Sequence, residues 1–483
     1  MKKRWLAWAA AACLIWAQGG SAMGESSLAE EPYKTPKFAS VSVHDPSVIR
    51  AEDGTFYIYG SHMAAAKSTD LMNWKLISKD AQAGCTLVEN VQTQMKEALS
   101  WAKTNTFWAP DVQRLDNGKY ALYYCTCEGS SPLSALGLAI ADGPEGPFVD
   151  QGVFLKSGMA GYNATYYPNV VDPCAFLDKE GQLWMVYGSY SGGIFILKMD
   201  NETGLPLPDQ NYGKKLLGKN HARIEGPYML YSPETDYYYL FLSFGGLDSN
   251  GGYNIRVCRS RNPDGPFYDS LDQDMISCGG RPGTFFNDPD YEGYGVKLMG
   301  GYQFASAETD TSRMAQALRS PGHNSAYYDE ATGQYFLIFH TRFANSGETF
   351  TVRVHQMFMN DQGWPVVSPL RYAGEEKETV PDSFRYGKYK ILLHEHDINA
   401  VEHVSKEAAL LDDGTVTGGY EGTWTGDEDG HMTLSIAGKE YRGLFIRAVD
   451  GSQSAIVTCF TALSQDGEAA WGIRYDDADG NMP

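Results

Sequence analysis

Apolar and polar positions alternate along the chain in five paired runs. Each pair joins an extended segment, a turn containing Gly or Asp, and an aromatic-rich segment. The runs read HDPSVIRAEDGTFYIYGS from His44, WAPDVQRLDNGKYALYYC from Trp108, VDPCAFLDKEGQLWMVYGS from Val171, EGPYMLYSPETDYYYLFLS from Glu225 and GHNSAYYDEATGQYFLIFH from Gly322. Alternation of period two around such turns predicts a β-hairpin in each. The second strands centre near Tyr57, Leu122, Met185, Tyr239 and Leu337, about 55–65 residues apart for the first four units and about 97 for the last, which therefore carries an insertion. Two further segments, ADGPEGPFVD (141–150) and SRNPDGPFYD (260–269), place Gly-Pro-Phe turns between the outer strands of a unit. Roughly 60 residues supply four short strands with their loops, so five such units predict an all-β fold, a five-bladed β-propeller over residues 33–372. A β-sandwich is the competing arrangement, and it accounts less well for five hairpins in register.

Two stretches depart from that pattern. Residues 87–102 place Val91, Met95, Leu99 and Ala102 at helical spacing, which predicts a packing helix inserted at the rim between the first two blades. After Pro369 the repeat ends, and residues 380–483 hold several short alternating strands, which predict a small C-terminal β-barrel or sandwich domain. Its Trp424 and Trp471 are expected in the core.

Composition narrows the partners. A net charge of −21 opposes nucleic acid, anionic lipid and polyanionic polysaccharide, leaving a neutral ligand. Residues 1–22 carry a basic Lys2-Lys3-Arg4, a short apolar run and the small residues Gly20-Ser21-Ala22, the pattern of a cleaved secretory signal. Extracellular localisation follows, with no membrane span. Cys13 lies inside the apolar run, in a setting that disfavours lipidation. The other seven cysteines are odd in number, and Cys125 and Cys127 share one strand face, so most are expected as buried thiols. A monomer is expected.

In a propeller the first strand of each blade lines the axis. Aligned on the Pro of each hairpin, the preceding residue is Asp45, Ala109, Asp172 and Gly226 in units one to four, and His323 in unit five, where Asn324 replaces the Pro. Glu225 stands one step earlier in unit four. Three blades thus present a carboxylate at one level of the axis and a fourth presents a His. Asp-Pro alone is a common turn device; three carboxylates in register suit glycoside hydrolysis, in which one activates water, one donates to the leaving oxygen, and a third tunes the donor. Asp111, two residues past the aligned position, is expected to be structural.

HDPSVI, NVVDPCAF, GSYSGGIF and RIEGPY resemble the motifs of glycoside hydrolase family 43, and the pattern is most similar to that of its secreted two-domain endo-α-1,5-L-arabinanases. The resemblance implies hydrolysis of internal bonds in arabinan, a neutral plant polysaccharide, by an inverting mechanism. It implies Asp45 as general base, Glu225 as general acid and Asp172 as the carboxylate that raises and orients the acid. It further implies one central metal ion, calcium, at His323, and substrate contacts at Asp45, Gly129, Asn169, Val170, Val171, Asp172, Ser189, Tyr190 and Ser191; Phe107 and Trp108, which precede the second inner strand, are expected to wall the cleft, Trp108 touching substrate. His44 is expected in a structural or substrate-side role. Exo-acting arabinofuranosidases and β-xylosidases of the same family, a retaining fructan-acting propeller and a non-catalytic binding propeller are the alternatives. Inversion requires a base–acid carboxyl separation of roughly 6.5–9.5 Å, retention about 5–5.5 Å.

Overall fold

The structure, a computed structural model, describes residues 36–82, 84–305, 317–450 and 455–476. The signal assigned to residues 1–22 lies outside them. Five sheets, each built on four or more antiparallel strands, follow one another along the described residues. Their innermost strands are Ser47–Arg50, Asp111–Arg114, Cys174–Leu177, Ile224–Ser232 and Leu318–Asp329. Each pairs with the second strand that the alternation predicts, for instance Val48 opposite Ile58 and Ala175 opposite Met185. Gly54, Gly118, Gly181 and Gly333 turn four of the hairpins with φ between 70° and 86°, and Asp236 does so in the fourth blade with φ 54°. These are conformations that Gly, Asp and Asn adopt most readily, which is why the turn residues marked the units.

The second strands Phe56–Gly60 and Tyr120–Cys127 are buried at every residue. A blade is covered by a neighbour on both faces, so its middle strands are apolar throughout instead of alternating with solvent. Val43, Val48 and Ile58 of the first blade pack with Ile338, Val352 and Val354 of the fifth, and Val352 N donates to Val41 O at 3.0 Å. That contact closes the ring.

The rim helix is shorter than its pattern predicted. It forms two pieces, Val91–Gln94 and Lys96–Trp101, broken at Met95, and residues 87–90 precede it as turns. Leu87, Val91, Met95, Ala98 and Leu99 nevertheless pack on the first two blades. Both Gly-Pro-Phe segments lie between third and fourth strands, with Pro147 and Pro266 cis.

Eight strands between Gly387–His394 and Ala469–Arg474 close into a barrel. Trp424 and Trp471 are both buried. The barrel is not a separate block, however. Leu392, Ile446, Val457 and Trp471 share one apolar core with Val257, Leu298, Leu337 and Val366 of the last two blades. His403–Val404, from the connection inside the barrel sequence, pairs in parallel with Tyr302–Gln303. Among the described residues seven cysteines stand outside any disulfide, and six of them are buried.

Candidate active site

Four of the five aligned residues, all but Ala109, share a left-handed backbone conformation. Asp45, Asp172, Gly226 and His323 have φ of 55°, 56°, 57° and 43°. Left-handed backbone costs an L-residue roughly 1–2 kcal/mol, and such strain concentrates at functional sites. In the fourth blade Gly takes that position, and its missing Cβ matters, because one would stand 3.1 Å from the His323 ring. The carboxylate has moved one residue upstream, where pairing shifts register between Glu225 and Tyr228.

Asp45 is surrounded by imidazoles. His44 Nδ1 lies 2.7 Å from Oδ2, and His323 Nδ1 lies 3.1 Å from Oδ1. Ser61 Oγ donates to Oδ2. Burial opposes ionisation, but His323 and then His44 outweigh it and hold the carboxyl well below the usual range. His340 is different. Its Nδ1 accepts the Asp45 N–H at 3.2 Å, so the 3.7 Å approach to Oδ1 is no ion pair. Burial pushes this imidazole well down and keeps it neutral. It stacks on His44 with ring centres 3.9 Å apart, which fixes the plane of His44 against the carboxylate.

Glu225 and Asp172 shift the other way. Burial raises Glu225, assisted by the negative charge of Asp45, although Ser189 Oγ at 2.7 Å and Tyr253 OH at 3.0 Å donate to it. Asp172 is pushed up to about 7, first by burial and further by Glu225 and Asp45. Its Oδ2 accepts the Gly226 N–H at 3.2 Å, which ties it to the residue following Glu225. The two carboxyls therefore titrate as a pair that retains a proton to higher pH than a free acid. One carboxyl lowered by neighbouring imidazoles and another raised by burial, on different blades of one ring, is the displacement that acid–base hydrolysis needs.

His323 is seated by its backbone N–H on Ser243 Oγ at 2.7 Å. As a free side chain its imidazole is held protonated, pushed up to about 9, because Asp45, Asp172 and Glu225 together outweigh burial. Nδ1 is engaged with Asp45, and Nε2 has no hydrogen-bond partner among the described residues. That nitrogen, on an imidazole that feels the charge of all three carboxyls, fits a divalent cation whose remaining ligands are water oxygens. A second grouping, His44, Asp45 and His340, brings one atom from each within 4.8 Å of the others. It suits a metal poorly through Nδ1, since His340 Nδ1 already accepts a backbone N–H.

The remaining sequence candidates divide. Trp108 is partly exposed, and a Cβ on Gly129 (φ 98°) would lie 3.9 Å from its ring, so the two adjoin. Ser189 holds Glu225. Tyr190 (φ 48°) and Ser191 (φ 35°) continue the same turn, with Tyr190 OH donating to Gly245 O at 3.1 Å. Asn169 Oδ1 accepts from Ser134 Oγ at 2.6 Å. Val170 and Val171 are corrected: both are 0% exposed, in the core that docks the third blade on the second, so neither is available to a sugar. Phe107 is likewise fully buried and does not wall a cleft. Asp111 is structural, as expected, but closely connected. It accepts from Ser47 Oγ and from Ala175 N at 2.6 Å, bridging the strands that follow Asp45 and Asp172. Burial pushes it up to about 7.

Sequence reasoning missed Tyr253, Ser61 and His340. His340 closes the fifth apolar run, where a polar residue in a strand buried on both faces was a signal. Tyr253 gave none. Gly322 did, in retrospect: a Cβ there would stand 2.1 Å from the Tyr253 ring, so only Gly leaves the ring room to reach Glu225.

Residues 35–288 match the sequence profile of glycosyl hydrolases family 43, and residues 369–472 that of a C-terminal lipocalin-like domain. The chain is 52% identical over 446 residues to an extracellular endo-α-(1→5)-L-arabinanase of Bacillus subtilis, covering 91% of this chain and 94% of that one. It is 45% identical over 458 residues to an extracellular endo-α-(1→5)-L-arabinanase of Thermotoga petrophila, covering 92% and 95%. A crystal structure of a family 43 glycoside hydrolase from Bacillus licheniformis superposes with a TM-score of 0.88 at 54% identity, covering 91% of this chain and 99% of that one.

Proposed function

The chain belongs to glycosyl hydrolases family 43 and is a glycoside hydrolase, and from that premise we propose an extracellular endo-arabinanase that cleaves internal α-1,5-L-arabinofuranosidic bonds by inversion. The carrying observation is the opposite displacement of two carboxyls on the axis, Asp45 lowered by His323 and His44 and Glu225 raised by burial. Endo action rests on the two relatives matched over more than nine-tenths of the chain, both named as endo enzymes.

In this mechanism Asp45 takes a proton from water as its oxygen attacks the anomeric carbon. Glu225 gives its proton to the departing glycosidic oxygen, and the C–O bond breaks with inverted configuration. Asp172 keeps Glu225 protonated until that moment. His340 and His44 fix the orientation of Asp45, while Tyr253 and Ser189 fix that of Glu225. His323 Nε2 would hold a calcium ion whose charge orders water near the base. Trp108, Gly129, Asn169, Ser189, Tyr190 and Ser191 would meet the sugars by stacking and hydroxyl hydrogen bonds.

The substrate is a neutral polysaccharide, consistent with a protein of net charge −21, and neither nucleic acid nor membrane is a partner in this reading. No helix among the described residues is long and apolar enough to cross a membrane. The signal pattern in residues 1–22 accounts for export, and a monomer suffices for the chemistry. The test is a product-size time course on debranched linear arabinan with wild type and Glu225→Ala. Oligosaccharides appearing first, with activity collapsing in the variant, support the proposal; arabinose from the outset would replace it with exo action.

A further inference from the structure

The insertion that lengthens the spacing between the fourth and fifth hairpins contains two adjacent phenylalanines whose rings face solvent. Phe285 is 63% exposed and Phe286 44%. Exposed apolar rings of this size on an otherwise acidic surface mark a binding face. Their exposure is not that of a loose loop. Thr284 N and Oγ1 donate to Arg281 O at 3.0 and 2.7 Å, and Arg281 N donates to Asp290 at 3.0 Å. Asp288 accepts from Arg223 Nε at 3.0 Å, which fastens the segment two residues before Glu225.

The rings are continuous with the catalytic centre. Phe285 and Phe286 lie 4.2 Å apart, centre to centre. His221 packs on Phe285 at 4.4 Å, and Tyr190 meets Phe286 edge-on at 5.3 Å. Tyr190 follows Ser189, the donor to Glu225, and its own N–H bonds Ile224 O at 2.9 Å. The ridge therefore starts beside the acid, on the fourth blade, and not beside Asp45 on the first. In a single displacement, water enters from the base side and the leaving group departs toward the acid. The chain beyond the broken bond must run out over the acid side.

We propose that Phe285 and Phe286 form a stacking platform for arabinofuranosyl residues on the leaving-group side of the scissile bond. This rests on the arabinanase reading and extends it to a contact that favours long chains over short ones. A phenyl face without polar groups stacks on the C–H face of a neutral sugar and is tolerant of sliding, as a processed polymer requires.

The experiment compares wild type, the double variant Phe285→Ala/Phe286→Ala and the conservative double variant Phe285→Tyr/Phe286→Tyr. Substrates are linear arabinan and arabinotriose. The alanine variant is expected to lose about tenfold in kcat/KM on the polymer, mostly through KM, as befits one stacked aromatic contact. Its rate on arabinotriose should stay within about twofold of wild type, and the tyrosine variant should restore the polymer rate. Unchanged polymer kinetics, or an equal loss on both substrates, would overturn the platform while leaving the arabinanase reading intact. A wild type that cleaves neither substrate would overturn both. An oligomeric state in sedimentation that changes with the alanine variant would assign the rings to a contact between copies and overturn the proposal.

Discussion

Tyr253 donates its phenolic hydrogen to Glu225 Oε1 at 3.0 Å from a fully buried position. This donor favours the ionised acid and so opposes burial, which raises it. Tyr253→Phe should therefore raise Glu225 further. A general acid works while protonated, so the basic limb of the kcat/KM–pH profile should move to higher pH. The acidic limb, set by Asp45, should stay in place. A basic limb moving downward would refute this assignment of the acid.

The two catalytic carboxyls should separate by leaving-group demand. Loss of a general acid or base costs about 10²–10⁴-fold. Glu225→Ala should show that loss on arabinan yet retain most activity on an aryl arabinofuranoside whose phenolate departs without a proton. Asp45→Ala should lose activity on both. Steady-state rates on the two substrates decide it; equal losses in Glu225→Ala would remove Glu225 from the acid's role.

Asp111 bears on stability. Its folded pKa, pushed up to about 7 by burial, exceeds the ordinary carboxyl value of 3.8. Stability from such a group is fully present below the unfolded value and is lost as pH rises through the folded one. Asp111→Asn cannot ionise. The stability difference, wild type minus variant, should therefore shrink between pH 4 and pH 8 in urea unfolding. Asn also sets an N–H₂ against one of the donors Ser47 Oγ and Ala175 N, costing about 1–3 kcal/mol.

Calcium should raise the thermal midpoint in a manner that depends on His323. A ligand at about a hundred times its Kd adds about 2.7 kcal/mol to folding. Dialysis against a chelator should lower Tm by a few degrees, calcium should restore it, and His323→Ala should abolish the response. A calcium response unchanged in that variant would place the ion elsewhere.

The shared core predicts that the propeller does not stand alone. Ending the chain near residue 372 would bare Val257, Leu298, Leu337 and Val366, now covered by Leu392, Ile446 and Trp471. Exposure of such a patch favours aggregation. Soluble, fully active protein from residues 33–372 would contradict this.

The five blades were legible because each hairpin announces its turn with Gly or Asp and its second strand with unbroken apolar residues. Asp45 and Asp172 were legible because the repeat holds its Pro register while varying the residue before it, and Glu225 and His323 because each lies at that register or one step from it. Pairwise relations across blades were not. Whether Val170 and Val171 faced a sugar or a neighbouring blade depended on which side of the third hairpin the second blade covers, and alternation is silent on that. Tyr253 reaches Glu225 only because Gly322, in another blade, has no side chain. The helix broke at Met95 because packing on two blades, more than local propensity, sets its length.

The left-handed turn shared by Asp45, Asp172, Gly226 and His323 makes the axis a set of sockets. Each holds its residue in one backbone conformation, so a carboxylate, an imidazole or, in the fourth blade, no side chain at all can stand there without redrawing the ring. The same turn is unfavourable in an isolated hairpin and is held only by neighbours on both sides. A ring with one blade detached would lose the alignment of all its sockets together, so hydrolysis reports the integrity of the whole circle.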